Sequence, residues 1–521
     1  MRSRLALLVF PLILPAAARA QPAPVPGLDQ YVREVMETFE VPGIALAVVK
    51  DGEVVVAKGY GVRRLGEATP VDEHTLFGIA SNTKAFTAAA LGLLVEEGKI
   101  GWDQPVIEVL PGFRMSDPYV TAEMTVRDLL VHRSGLGLGA GDLLFWPGTT
   151  YDRDEIVHRL RYVPIENRFR YTYNYDNVLY MVAGEVIEAA SGMSYESFIE
   201  ERILRRVGMS DSRASLTAAV AGRNIASTHA RVEGVVRLVE PDTTASVGPA
   251  GGIMSSAADM ARWMNVQLAR GRLADGDSLF SHATSEELWT LVTPIAPNPP
   301  PPELAPLESN FNGYALGFFV GEYRGRRVVR HTGGLPGFVS RVAMIPDANL
   351  GVTVLTNQES GAAFDAIALH VLDHYLGVDP AFDWLGGWRA LVARIDSMNA
   401  AEVGAAAVAR DSTAGPSLPL ERYAGTYRDP WYGDVGIALE GGGLVMRFAH
   451  TPSMIGDLEH WQYDTFLVRW RDRSLRADAF VTFQLEPDGK IDRVRMEAAS
   501  PTVDFSYDFQ DLDLEPVGQS P

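Results

Sequence analysis

Apolar and polar positions change period several times along the chain, and each change marks an element. Residues 28–40 place their apolar side chains at helical spacing. "GIALAVVKDGEVVVAKGYG" then gives two β-rich runs joined by Asp51-Gly52, a hairpin signal. A short strand region ends at Phe77-Gly78-Ile79. An amphipathic helix holding Lys84 follows and is stopped by Gly98. In "MTVRDLLVHRSGLG" Thr125 stands three residues before Asp128, a capping pattern that predicts a helix stopped at Gly135. "YDNVLYMVAGEVIEAASG" predicts a helix ending near Gly192. "SSAADMARWMNVQLARG" predicts another, with Ser255 or Ser256 as N-cap and Gly271 as stop. From Tyr314 onward four consecutive short strands are predicted, with turns at Gly325, at Gly333 to Gly337 and at Asp347-Ala348-Asn349. "FDAIALHVLDHYLG" closes this region as a helix. Strands at both ends and helices in the middle predict an α/β sandwich: one antiparallel sheet flanked by helices, with a helical subdomain between them.

Beyond Pro380 the texture changes. An Ala-rich amphipathic stretch leads into the linker "DSTAGPSLP". Short alternating runs follow, with turns at Gly441 to Gly443 and at Asp488-Gly489, which predicts a small antiparallel β-barrel of lipocalin-like type. The expected domains are therefore 28–377, a helical linker 378–416 and a barrel 417–514. The Pro-rich segment "APNPPPPELAP" reads as an extended spacer or pocket rim.

Composition adds limits. The N-terminus "MRSRLALLVFPLILPAAARA" has two arginines, an apolar run broken by Pro11 and Pro15, and Ala18-Arg19-Ala20. That is the layout of a secretory signal peptide over residues 1–20; a retained membrane anchor is the competing reading. The expected location is periplasmic or extracellular. The chain of 521 residues has no cysteine, which excludes disulfides, thiolate nucleophiles and a lipid anchor on a cysteine after the cleavage site. Net charge is −20, and loss of Arg2, Arg4 and Arg19 with the leader makes it −23. Nucleic acid and anionic lipid are excluded as partners on that ground.

Three stretches carry candidate chemistry. In "FGIASNTKAF", Ser81 precedes Lys84 by three residues, so both face one side of a helix start. Burial would disfavour the ammonium and make the amine a proton acceptor. The plain alternative is a serine N-cap and a solvated lysine, but a cation in a first turn opposes the helix dipole. Tyr175-Asp176-Asn177 opens a second helix; its plain alternative is aromatic packing with an asparagine cap. His331-Thr332-Gly333-Gly334 lies on a strand, where glycine admits close approach of another backbone or a ligand; its plain alternative is a hairpin corner. The Gly334 and Ser81 N–H groups are the expected oxyanion hole. "HVLDH" puts His370 and His374 on one helical face, but without the glutamate of a zinc helix, and no metal is expected.

Ser81-Asn82-Thr83-Lys84, Tyr175-Asp176-Asn177 and His331-Thr332-Gly333, in this order, resemble the serine β-lactamase and penicillin-binding-protein-like hydrolases, in particular the class C β-lactamase-related branch. "VPGIALAVVKDGEVV", "TVRDLLVHRSGLG", "AGGIMSSAADMARWM" and "HTGGLPGFVS" are similar to family segments, and the resemblance covers residues 28–377. It implies a β-lactamase/transpeptidase-like fold. It implies Ser81 as the acyl-accepting nucleophile, Lys84 as the group that helps deprotonate it, Tyr175 as a second proton-transfer group, and Asn177, His331, Gly333 and Gly334 on the substrate. Tyr171 and Tyr173 crowd the same loop, but only the Tyr175 frame also places Asn177 and Gly184. His331 stands where β-lactamases hold the substrate carboxylate with a lysine, so a D-amino-acid peptidase or esterase is expected ahead of a β-lactamase. The expected partner is a small-molecule or peptide substrate, with no cofactor. A non-catalytic member that binds peptidoglycan or a partner is the alternative.

Overall fold

A computed structural model of the protein describes residues 24–217, 224–241 and 244–518. The expected leader lies outside them. Among the described residues no helix is long and apolar enough to cross a membrane.

Helix α1 (Leu28–Phe39) buries Leu28, Val32, Val35 and Phe39, one face at helical spacing. The hairpin β1 (Gly43–Lys50) and β2 (Glu53–Gly61) turns at Asp51-Gly52, both with positive φ as that turn requires. β1 is buried nearly throughout while β2 is half exposed, which marks β1 as central and β2 as the edge. The remaining strands of the main sheet are β3 (Thr293–Ile295), β4 (Asn312–Tyr314), β5 (Phe319–Tyr323), β6 (Arg326–Leu335), β7 (Phe338–Ile345) and β8 (Leu350–Thr356). All neighbours pair antiparallel, in the order β2-β1-β8-β7-β6-β5-β4-β3. The short edge strands β3 and β4 extend the sheet past the predicted set.

One face of the sheet packs on α1 and on α5 (Gly361–Leu376). There His370, the candidate zinc-helix residue, stacks on Tyr31 with ring centroids 3.9 Å apart. The other face packs on the helical region: α2 (Lys84–Glu96), α3 (Val178–Ser191) and α4 (Ala257–Leu268), the last capped by Ser256 through the Asp259 N–H. Three local expectations are corrected. α2 is not amphipathic: every residue from Lys84 to Leu94 is buried, because the helix runs through the centre of the domain. The stretch 124–135 is no full helix. The Thr125–Asp128 capping bonds form, but only one turn of 3₁₀ helix follows (Asp128–Leu130), since Arg133 and Arg170 hold Asp128 and His132 takes a left-handed φ of 54°. The predicted turn at Gly333 to Gly337 shrinks to Pro336-Gly337, because β6 pairs with β7 as far as Leu335.

The Pro-rich segment forms a turn over Pro302–Leu307 that buries Leu304 and ties Glu303 to Arg394 of α6 (Trp384–Ala409). It clamps the linker helix and lines neither of the cavities described below.

The C-terminal sheet has eight antiparallel strands: β9 (Gly425–Asp429), β10 (Gly433–Glu440), β11 (Gly443–Phe448), β12 (Ile455–Gln462), β13 (Thr465–Trp470), β14 (Ala479–Leu485), β15 (Ile491–Ala498) and β16 (Glu515–Pro516). Their order is β15-β14-β13-β12-β11-β10-β9-β16, and a Val494–Leu514 bridge brings the ends together into a nearly closed barrel. Inside, the rings of Tyr423, Phe466 and Phe483 pack edge-on with centroids 4.8–5.6 Å apart. The barrel docks on the helical region through backbone acceptors: Tyr151 Oη donates to Tyr432 O (2.5 Å) and Arg159 Nη1 to Trp431 O (2.9 Å).

Candidate active site

Ser81 stands in a 3₁₀ turn (Ala80–Thr83) that runs directly into α2. Ala80 just before it has φ 50°, a conformation L-residues rarely adopt. Two bonds hold this turn against the sheet: Asn82 Nδ2 donates to Ser340 Oγ of β7 (2.7 Å), which donates to Ile79 O (2.6 Å). β6 passes so close that a Cβ on Gly333 would lie 2.3 Å from Ile79 O. Gly333 is therefore required by close approach to the nucleophile's turn, as strand glycines often are. Gly334, next in line, faces open space.

Lys84 is fully buried. Its Nζ donates to Ser81 Oγ (3.0 Å), Asn177 Oδ1 (2.7 Å) and Ala250 O (3.1 Å), which uses all three ammonium protons. It also lies 4.9 Å and 5.0 Å from the ring centres of Tyr175 and Tyr180. Burial drives its pKa down from 10.5 to about 7; the Asp142 and Asp176 carboxylates oppose that fall only in part. At neutral pH a substantial share of the amine is thus unprotonated and able to take the Ser81 proton. Neither capping alternative survives. Ser81 caps no helix, and Asn177, at the N-cap position of α3, makes no side-chain cap bond. Its carboxamide spans Lys84 and Asp142 instead, with Nδ2 donating to Asp142 Oδ2 (2.8 Å).

Tyr175 is partly buried, and desolvation raises its phenol well above 10, with the Ser81 contact opposing. It rests as a neutral phenol. His132 lies beneath it, ring centroids 4.2 Å apart, with Nδ1 accepting the Asp176 N–H (3.2 Å). Burial lowers the His132 pKa, so this ring is a neutral floor for the tyrosines. His331 lines the cavity and is held by partners within the protein. Nδ1–H donates to Thr332 O (2.5 Å) and Nε2 accepts from Tyr314 Oη (2.8 Å), so both ring nitrogens are occupied. Burial and the Lys84 charge push its pKa to about 3, and it carries no positive charge for a substrate carboxylate. Arg330 supplies none either: it sits beside Arg341 and Asp365.

Ser81, Tyr175, Asn177, His331, Gly333 and Gly334 all line one cavity of about 420 Å³, with Lys84 beneath it. Seven further contributors were not singled out from the sequence. Ala250 O comes from the Gly248–Gly251 turn, which approaches α3 because Gly184 lacks a Cβ that would meet Pro249 at 2.4 Å. Tyr314 comes from β4 and Phe319 from β5. Asp142 comes from the apolar run "GDLLFW", where a lone acid was the available signal. Asp504, Phe505 and Ser506 come from the barrel.

A serine whose hydroxyl contacts a buried amine on the next turn, completed by a tyrosine, an asparagine and a histidine-glycine strand, defines a serine hydrolase of the S-x-x-K type. The chain belongs to the beta-lactamase family: that family's model matches residues 28–376, and a domain of unknown function (DUF3471) matches 409–516. Curated relatives include the unguisins hydrolase ungD of Aspergillus violaceofuscus, 32% identical over 79% of this chain and 76% of its own, and ungD' of Aspergillus campestris, 30% identical over 88% and 87%. Among solved structures, the octameric penicillin-binding protein homologue from Pyrococcus abyssi superposes with a TM-score of 0.59 at 23% identity, over 90% of this chain and 97% of that one.

Proposed function

We propose that the protein is a secreted serine hydrolase that opens an uncharged amide or ester bond through an acyl-enzyme on Ser81, and acts on peptides or esters in preference to β-lactams. The contact that carries the reading is Lys84 Nζ to Ser81 Oγ at 3.0 Å, from an amine whose pKa lies at about 7. In the reaction, neutral Lys84 takes the Ser81 proton as Oγ bonds to the substrate carbonyl carbon. The tetrahedral oxyanion faces the Ser81 and Gly334 N–H groups. It collapses with loss of the amine or alcohol, which takes a proton through Tyr175 from the Lys84 ammonium. Water then adds to the acyl-enzyme by the same groups in reverse and releases the acid.

Substrate class follows from the walls. The cavity is lined by Leu138, Phe145, Trp146, Tyr173, Phe319 and Phe505, and among the described residues no lysine or arginine lines it. Asp504, the one carboxylate among its described lining residues, repels a carboxylate-bearing substrate. Trp146, Gly334, Leu335 and Asp504 also border an adjoining groove of about 1470 Å³. That exceeds the usual volume of a small-ligand site, roughly 300–1,000 Å³, and suits a substrate of several linked units. The full catalytic set argues against a purely binding role.

The test has two parts. A serine-reactive fluorophosphonate should label the wild type and not Ser81→Ala. A comparison of kcat/KM on D-amino-acid amides, uncharged short-chain esters and a chromogenic cephalosporin should rank the cephalosporin last. Absence of labelling refutes the nucleophile; a preferred cephalosporin refutes the substrate class.

A further inference from the structure

The acid Asp142 is buried completely, touches no reacting atom and has no role in the reaction above, yet it lies one residue from the catalytic amine. Asn177 connects the two: Oδ1 accepts from Lys84 Nζ at 2.7 Å and Nδ2 donates to Asp142 Oδ2 at 2.8 Å. An amide reversed in place would aim its NH₂ at the ammonium, donor against donor. An acceptor at position 142 therefore fixes which way Asn177 faces. The same Asp142 oxygen accepts a second bond, from Ser506 Oγ at 2.8 Å, and Ser506 lies between β15 and β16 of the barrel. The segment is seated by its own anchor: Asp508 accepts from the Gly141 and Leu143 N–H groups at 2.6 and 3.1 Å, on either side of Asp142. Phe505 adds an edge-on contact to Tyr175, centroids 6.0 Å apart, and Gly139 leaves the room it needs, since a Cβ there would lie 2.7 Å from Phe505 O.

We propose that Asp142 is a positioning residue that sets the proton affinity of Lys84 through Asn177, and that Ser506 holds Asp142 charged, so that the C-terminal barrel is a working part of the catalytic centre. The inference rests on the reading of Ser81 and Lys84 above. The charged and titratable groups around the pair are few. Asp504 and Asp508 face Asp142 and disfavour its charge; Asn177 and Ser506 favour it. Around Lys84 stand the carboxyl groups of Asp142 and Asp176, the neutral imidazoles of His132 and His331, and the neutral phenols of Tyr175 and Tyr180. Burial holds Asp142 itself at about 7, close to Lys84, so its charge is marginal and sensitive to a single lost hydrogen bond. Its second oxygen, Oδ1, is buried with no partner among the described residues, which is why Ser506 matters for the first.

The signs are fixed. Acylation needs neutral Lys84, so its rate rises with pH through the Lys84 pKa. Asp142→Asn keeps an acceptor for Asn177 but removes the charge that favours the ammonium; the midpoint of the acid limb should fall by about one pH unit. Ser506→Ala raises the Asp142 pKa and weakens that charge, so the midpoint should move the same way by less. Ser506→Thr should restore it, and Asp142→Asn with Ser506→Ala should move no further than Asp142→Asn alone. The experiment measures the rate of Ser81 labelling by a fluorophosphonate against pH in the full chain, with the unfolding midpoint of each variant alongside. A merely structural role lowers the unfolding midpoint and the labelling amplitude but leaves the pH midpoint in place. An unmoved midpoint in Asp142→Asn overturns the proposal; one unmoved only in Ser506→Ala overturns the barrel's part in it. A wild type that labels at no pH refutes the nucleophile, and this inference with it.

Discussion

Lys84 should make the folded protein less stable at neutral pH than it is in alkali, and replacing it should remove that dependence. The amine titrates at 10.5 when solvated and at about 7 in the site. Below pH 7 both states carry the ammonium and the folded state bears the whole desolvation penalty. Between pH 7 and 10.5 the unfolded chain binds more protons at this position, so stability rises with pH; above 10.5 both are neutral and the penalty is gone. At 1.36 kcal/mol per unit the full span corresponds to about 4 to 5 kcal/mol, a sizeable part of a typical domain's stability of about 5–15 kcal/mol. Lys84→Met keeps the length of the side chain and removes the charge. It also leaves Asn177 Oδ1 and Ala250 O without their donor, at about 1–3 kcal/mol each. These losses do not titrate, so the informative quantity is the slope and not the offset. Urea unfolding followed by tryptophan fluorescence at pH 7, 8, 9 and 10 should show wild type gaining on Lys84→Met by roughly 1 kcal/mol per pH unit. Parallel curves would refute a depressed Lys84 pKa and with it the base at rest in the site.

Four further outcomes follow. Ser81→Ala should abolish acylation and change unfolding free energy by no more than about 1 kcal/mol, since Ser81 caps no helix. Lys84→Ala and Tyr175→Phe should each lower kcat by at least about a hundredfold, and the double variant by much less than the product, because both handle one proton; multiplicative losses would separate them. Gly184→Ala should place a methyl 2.4 Å from the Pro249 ring, destabilise by about 1–3 kcal/mol and slow acylation by moving Ala250 O off Lys84, which paired unfolding and labelling measurements would detect. His331 should leave no inflection between pH 5 and 7 in the kcat/KM profile, so His331→Gln should keep the acid-limb midpoint near that of Lys84.

Much of this centre was legible from residues alone because its parts are short motifs with fixed internal geometry. Ser81 and Lys84 meet through helical spacing, and Tyr175 and Asn177 stand two residues apart just ahead of α3. Strand glycines announced the close approach that Gly333 makes to Ile79. Local pattern also located α1, α3, α5 and most strands. It failed where tertiary packing decides. Charged pairs on Asp128 and a left-handed His132 cut a capped helix to one turn, and a central position made α2 buried all round. The Tyr314 hydrogen bond that holds the His331 ring was not legible, because Tyr314 is a cross-sheet neighbour that no spacing rule reaches. Asp142 and Ser506 are 364 residues apart, so their contact lies beyond any local signal.

The seating of Asp508 on Gly141 and Leu143 has a consequence in time. A chain emerging residue by residue from the ribosome presents Ser81 early, and Lys84 soon after it. One wall of the cavity and the Ser506–Asp142 bond come from residues 504–508, made more than 400 positions after Ser81. Without those residues the cavity at Ser81 lacks its barrel-side wall. On the proposed role of Asp142, hydrolytic competence should come late in synthesis, once the barrel segment supplies Ser506 and Asp508 to residues laid down some 360 positions before.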